Sequence, residues 1–226
     1  MDQSTLNQLF DKIYVINLDK RKDKLATRQQ SFNDNNISYE RFKALTPMDS
    51  FMNKKSEFFK KTFPKERWGA VACTMSHRAV LEKALKKNQS VLICEDDLYF
   101  CDNFNDILSE KLKTLPGNWN ALHLGYNRGA SYVYTHNMAK FKNINEDWET
   151  FDMFSGCTCW GFKPGIIPVV LEYLNKYPTQ NFFNSLQIDL TLACLKLYDD
   201  PRIKMYSTIE PLVFPKMIGQ SDTGLN

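Results

Sequence analysis

A short apolar run, SVLIC (90–94), breaks directly into three acids, Glu95, Asp96 and Asp97. A run this short and this apolar is what a strand at the centre of a sheet covered on both faces shows. Carboxylates cannot share that burial without a large desolvation cost, so they mark the point where the strand leaves the core. The chain is therefore expected to contain a layered sheet with a cluster of negative charge at the carboxyl end of a central strand.

The neighbouring segments agree with that layout. KIYVINL (12–18) reads as a first strand, and Asp19 is expected to cap a helix running through KRKDKLATRQQSF. ISYERFKAL (37–45) alternates as a second strand, and residues 46–66 read as a long loop. In GAVACTMSHRAVLEKALKK, the stripe Ala70, Cys73, His77, Val80, Leu81 and Ala84 has the steps of an amphipathic helix. NFNDILSEKLKTL reads as a helix, NALHLGY (120–126) as a strand, and 131–162 as shorter strands and turns ending in apolar SGCTCWGF. KPGIIPVVLEYLNKY and NSLQIDLTLACLKLY read as helices, and the tail begins as a strand at KMYST and ends irregularly. Strands alternating with helices predict an α/β fold with a mostly parallel, Rossmann-like sheet flanked by helices.

Composition narrows the function. The chain has 226 residues and no dividing linker, so a single domain over 1–226 is expected. A net charge of +3, without a basic stripe interleaved with aromatics, excludes a nucleic-acid groove. There is no apolar run long enough for a membrane span. The opening MDQSTLNQLFDK lacks a signal-peptide pattern, so the expected location is cytoplasmic or peripheral to a membrane. Six cysteines without a C-x-x-C pair, and three histidines, do not make a zinc framework; buried free thiols are expected.

Ligands of open α/β sheets bind beyond the carboxyl ends of the strands. In an extended segment Glu95 and Asp97 point one way and Asp96 the other. Carboxylates so placed suit a hard cation, Mg²⁺ or Mn²⁺, that bridges to the phosphate oxygens of a nucleotide. The competing reading is a solvated acidic turn ahead of the next helix.

Four stretches together resemble glycosyltransferase family 25, which includes bacterial lipooligosaccharide galactosyltransferases and collagen hydroxylysine galactosyltransferases. IYVINLDKRKDKL (13–25) resembles the family's opening motif, GAVACTMSHRAVLEKAL (69–85) its serine–histidine helix, VLICEDDLYF its L-E-D-D metal motif, and PKMIGQSD (215–222) its late Q-S-D. Lys20 stands where the family has Arg and Cys94 where it has Leu, and 127–162 matches poorly. The resemblance implies a GT-A-type fold and an inverting enzyme. That enzyme would move a hexose, galactose or else glucose, from a UDP-sugar to a glycan, a lipooligosaccharide or a collagen-like acceptor. It further implies a Mn²⁺ or Mg²⁺ ion held by Glu95 and Asp97, with Asp96 at the nucleotide sugar. The Lys- and Asn-rich composition suggests a bacterial or viral source. A non-catalytic nucleotide-sugar-binding module and a metal-dependent phosphohydrolase are the alternatives; the second would need more His and Asp ligands.

Under that resemblance the backbone of Ile16, Asn17 and Leu18 meets uracil and Arg21 reaches phosphate as a planar fork. Ala44 and Asp49 follow the second strand, where Asp49 is either a ribose ligand or a surface acid. Ser76 and His77 lie near the sugar or diphosphate; read alone, His77 is a core histidine. Gln220 and Ser221 close over the nucleotide. An inverting base is a carboxylate or histidine near the acceptor. Asp189, an acid inside an otherwise apolar helix, is the first candidate, and Asp152 is the second. Trp160 and Trp119 either stack on sugar or belong to the core.

Overall fold

The computed structural model describes residues 3–47, 49, 68–125, 141–151, 156–175 and 197–215. The strongest apolar runs became the sheet's centre. β1 (Lys12–Asn17) and β3 (Val91–Glu95) pair in parallel, with Ile16 opposite Glu95, and β2 (Glu40–Lys43) adds in parallel on the outer side of β1. The second strand is thus shorter than the expected 37–45. It is also mostly exposed, as suits an edge strand rich in charge.

Beyond β3 the order departs from simple alternation. In chain order there follow β4 (Leu98–Phe100), β5 (Ala121–Gly125), β6 (Phe141–Asn143), β7 (Trp148–Phe151), β8 (Cys159–Phe162), β9 (Met205–Thr208) and β10 (Val213–Pro215). The large sheet runs β2-β1-β3-β8-β5-β9-β7-β6. β8 enters antiparallel between β3 and β5, and β5 and β9 are parallel. β7 is antiparallel to both β9 and β6, so only β8 and β7 run against the common direction. The sheet is mixed but mostly parallel. β4 and β10 form a separate antiparallel pair, so part of the irregular tail is a strand.

Helices cover both faces. α3 (Trp68–Lys86) and α5 (Ile167–Asn175) lie on one, packing Val80, Leu81, Ala84, Ile167, Val170 and Leu174 against Tyr14, Ile93, Trp160 and Phe162. α1 (Thr5–Leu9), α2 (Lys22–Asp34) and α4 (Phe104–Leu112) contribute Leu6, Phe32, Phe104 and Leu108 to the other, against Val15, Leu92, Cys94 and Leu122. Gly161 of β8 belongs to this second face, since a Cβ there would run into the ring of Phe10. Asp19 does not cap α2. The cap position is Arg21, without a side-chain bond, while Asp19 turns to Arg41 (2.6 Å) and Lys43 (2.9 Å) on β2. Two cations offer a carboxylate more than one backbone N–H does, and they hold its carboxyl below the usual range, Arg41 first and then Lys43. Among the described residues no helix is long and apolar enough to cross a membrane.

Candidate functional site

Because β1, β2 and β3 are parallel, Asn17, Lys43 and Glu95 end at one edge of the sheet. At that edge the three acids follow β3, which lies between β1 and β8 in the sheet. Glu95 is the last residue of β3, Asp96 and Asp97 form the turn, and Leu98 begins β4. The alternation expected of neighbouring residues holds for the first two: Glu95 faces α3, and Asp96 faces β1 and α2.

Asp96 is tied on both oxygens. Oδ2 accepts from Asn17 Nδ2 at 2.7 Å, and Oδ1 lies 3.7 Å from the ammonium of Lys24, which is only 6% exposed. Asn17 is itself buried and fully used. Its amide N–H groups donate to Asp96 and to the Arg21 carbonyl (3.0 Å), and its Oδ1 accepts from Arg41 Nε (2.9 Å). The side chain of Asn17, whose backbone was expected at the nucleotide, thus knots β1, β2, the turn after β1 and the acid turn together. Ile16 lies mid-ladder between Phe42 and Glu95 with its side chain in the core, and Leu18 packs on the same core while its carbonyl accepts from Arg21 N. Arg21 forks onto Asp23 at 3.2 Å through both Nε and Nη2.

The loop after β2 is fastened in the same manner. The Ala44 N–H donates to the Asn17 carbonyl, and the Leu45 N–H donates to Ser76 Oγ at 2.9 Å. Ser76 is completely buried and passes its own proton to the Ala72 carbonyl (2.8 Å). Asp49 accepts from both the N–H (2.9 Å) and the hydroxyl (2.7 Å) of Thr46, while its own N–H returns to Thr46 Oγ1, a capping box. Those bonds hold the Asp49 carboxyl below its ordinary value, with the Thr46 hydroxyl contributing most.

Glu95 has a different environment. Its side chain is 29% exposed, and its Oε1 faces His77 Nε2 at 3.3 Å and Cys73 Sγ at 3.7 Å. Burial pushes this carboxyl up, but hydrogen bonding from His77, with Cys73 and the charge of Lys24 adding, outweighs it and keeps the group ionised below the ordinary range. Both donors fall on Oε1, and among the described residues none falls on Oε2. Asp97 is half-buried in the turn beside it. An ionised carboxylate with one oxygen steadied and the other open, next to a second carboxylate, is a donor set for a hard divalent cation.

Trp160 belongs to the core and Trp119 packs, half-buried, against its margin. Trp160, fully buried on β8, donates from Nε1 to His77 Nδ1 at 3.1 Å. Trp119 packs on Phe10 and carries the Lys163 ammonium 3.9 Å above its ring, by the opposite edge of the sheet. His123, in register with Trp160 and Ser207, is fully buried, and burial lowers its pKa to about 3 against a smaller raising effect of the Gly156 backbone. Asp189, Asp152, Gln220 and Ser221 lie outside the described residues.

Sequence reasoning passed over Lys24, Arg41 and Cys73 as members of this edge. Cys73 had a signal, its i, i+4 spacing to His77 on one helical stripe. Lys24 and Arg41 had none, being ordinary cations in polar segments.

Comparison with known proteins bears on the whole arrangement. Residues 10–155 match the profile described as glycosyltransferase family 25 (LPS biosynthesis protein). A curated protein of Acanthamoeba polyphaga mimivirus, R655, designated a candidate glycosyltransferase, is 35% identical over 112 residues, covering 46% of this chain and 34% of its own length. The chain thus matches about a third of that relative. Among solved structures, a glycosyltransferase involved in glycosylation of the major capsid of PBCV-1 superposes with a TM-score of 0.53 at 6% identity, over 94% of this chain and 96% of the other. That likeness establishes the fold, a GT-A-type Rossmann-like sheet.

Proposed function

The chain belongs to glycosyltransferase family 25, and on that premise we propose that it transfers a hexose from a UDP-sugar to a hydroxyl acceptor with inversion. The observation that carries this reading is the Glu95 carboxylate: steadied on Oε1 by His77 and Cys73 and, among the described residues, without a donor on Oε2, beside Asp97 at the carboxyl edge of a GT-A-type sheet. Galactose is the favoured sugar and glucose the alternative. The acceptor is a hydroxyl of a glycan, a lipooligosaccharide or a collagen-like hydroxylysine.

Glu95 and Asp97 are the residues that would hold Mn²⁺ or Mg²⁺. When bound, such an ion supplies Lewis-acid neutralisation of diphosphate charge. The protein's own part is positioning. The Asn17 knot fixes where β1 ends and the acid turn begins, and the Ser76 bond fixes the loop that follows β2. Arg21 reaches phosphate by exchanging its exposed Asp23 partner for a diphosphate oxygen, since solvent screens an ion pair at so exposed a carboxylate. Asp189, with Asp152 as the second candidate, takes the acceptor proton, and Gln220 and Ser221 belong to the nucleotide-binding set; all four lie outside the described residues.

The test is UDP release from UDP-galactose, UDP-glucose and UDP-N-acetylhexosamines, each with Mn²⁺ and with EDTA. Release from one hexose donor, with Mn²⁺ only, supports the reading and names the sugar. No release together with no UDP binding would sink it.

A further inference from the structure

Three metal-ligand types meet at one point in this fold: Cys73 Sγ, His77 Nε2 and a Glu95 oxygen all lie within 4.8 Å of one another. Taken as a list, that is a zinc-like donor set. The fourth residue in contact decides against it. Trp160 Nε1–H can only donate, and it points at His77 Nδ1 at 3.1 Å. His77 Nδ1 therefore carries the lone pair, and the ring proton sits on Nε2, facing Glu95 Oε1. A histidine that ligates metal through Nε2 has the opposite arrangement, with Nδ1 protonated and donating to an acceptor. Here Nδ1 meets a donor.

We propose that Trp160 and His77 form a positioning relay, indole N–H to Nδ1 and Nε2–H to carboxylate, which fixes the Glu95 carboxylate with Oε1 toward α3 and Oε2 toward the donor site. The inference rests on the reading of Glu95 as a cation ligand and reassigns His77: it is completely buried and acts on the nucleotide sugar through Glu95, not by touching it. The relay runs between elements the fold holds rigidly. Trp160 lies on β8, paired with Ile93 of β3 and His123 of β5, and its ring packs edge-on to Phe162 at 4.8 Å and to His77 at 5.6 Å. His77 sits on the buried stripe of α3. The Cys73 thiol adds a weaker donor to the same oxygen at 3.7 Å. Both donors pulling on Oε1 orient the carboxylate plane before any cation arrives, which spares the ordering cost at the moment of binding. The antiparallel insertion of β8 beside β3 thereby has a consequence at the site, since it is what brings an indole N–H to the back of His77.

The experiment has a direct and an indirect arm. A long-range ¹⁵N–¹H correlation spectrum of the wild-type imidazoles reads the tautomer, and with three histidines in the chain the assignment is tractable. The relay predicts the Nε2–H form for His77 in the wild type and a weakened preference in Trp160→Phe, where the Glu95 carboxylate alone still favours it. Manganese affinity in the presence of UDP, from the EPR signal of free Mn²⁺, is then measured per folded molecule. Trp160→Phe and His77→Leu should weaken it roughly 10–100-fold, the usual effect of removing an outer-shell partner of a metal ligand. His77→Gln, whose amide N–H can replace Nε2–H, should recover most of it. An Nδ1–H tautomer in the wild type would overturn the relay. So would unchanged Mn²⁺ affinity in folded Trp160→Phe and His77→Leu. Absence of Mn²⁺ binding by the wild type would overturn the cation reading itself, and the relay with it.

Discussion

Two neighbouring carboxylates of the acid turn should respond to mutation in opposite ways, and the contrast separates scaffold from site. Asp96→Ala removes the acceptor of Asn17 Nδ2 and takes the carboxylate away from Lys24, a cation that is 6% exposed. A hydrogen bond to a charged group contributes about 1.5–3 kcal/mol. Breaking a buried ion pair costs about 3–5 kcal/mol when nothing else neutralises the cation. Glu95 also lies within electrostatic reach of Lys24, which reduces the second figure. A total near 3 kcal/mol is expected, which for a domain of this size lowers Tm by roughly 6–12 °C. Asp97→Asn, in the same turn, should leave Tm unchanged or raise it slightly, because it relieves repulsion among three acids, while abolishing metal-dependent binding of UDP-sugar. Thermal melts by circular dichroism, with urea titrations to check that the m-value is preserved, read both effects. An Asp96→Ala melt within about 2 °C of wild type would refute the scaffold role, and a Tm loss in Asp97→Asn matching that of Asp96→Ala would refute the division of labour.

Other perturbations test other parts of the account. His123 has its pKa lowered to about 3 by burial, so its contribution to stability is complete above the unfolded value near 6.5 and is lost as pH falls toward 3. Between pH 7 and pH 4.5 that loss is about 2–3 kcal/mol, and a His123→Phe variant should lack it when unfolding free energies are compared at the two pH values. Gly161→Ala drives a methyl into the Phe10 ring and to 3.1 Å from Leu92 Cδ1, and should cost about 1–3 kcal/mol in a urea titration. Ser76→Ala strips the Leu45 N–H of its acceptor; faster hydrogen exchange at that amide, about 1–3 kcal/mol of lost stability and weaker UDP binding are expected.

What could be read from the sequence was what is local. Apolar runs placed β1, β3 and β5, the 3-and-4 stripe placed α3, and the break from Cys94 into Glu95 placed the acid turn at the edge of the sheet. The position of β8 was not legible. CWGF announces only that four residues are buried; that they lie antiparallel between β3 and β5 depends on partners more than thirty residues distant on either side. The pairing of β10 with β4 is equally non-local. Asp19 shows how such partners override a local rule: a good capping residue stands two positions before Arg21, yet Arg41 and Lys43 on β2 claim its carboxylate. At the site, residue types picked out the candidate groups, but which of them the protein itself engages came from contacts. Asn17, Ser76 and Asp96 are engaged with internal partners, whereas among the described residues Glu95 has donors on one oxygen alone.

The central claim is that Glu95, with Asp97, couples a divalent cation to nucleotide binding. Calorimetric titration of UDP into the wild type and into Glu95→Gln, each with Mn²⁺ and with EDTA, tests it most directly. The account predicts that EDTA weakens UDP binding to the wild type by about tenfold or more, a change of about 1.4 kcal/mol or greater, and that Glu95→Gln binds UDP at the weaker level in both conditions. Equal UDP affinity of the wild type with Mn²⁺ and with EDTA, or full Mn²⁺ dependence surviving in Glu95→Gln, would contradict it.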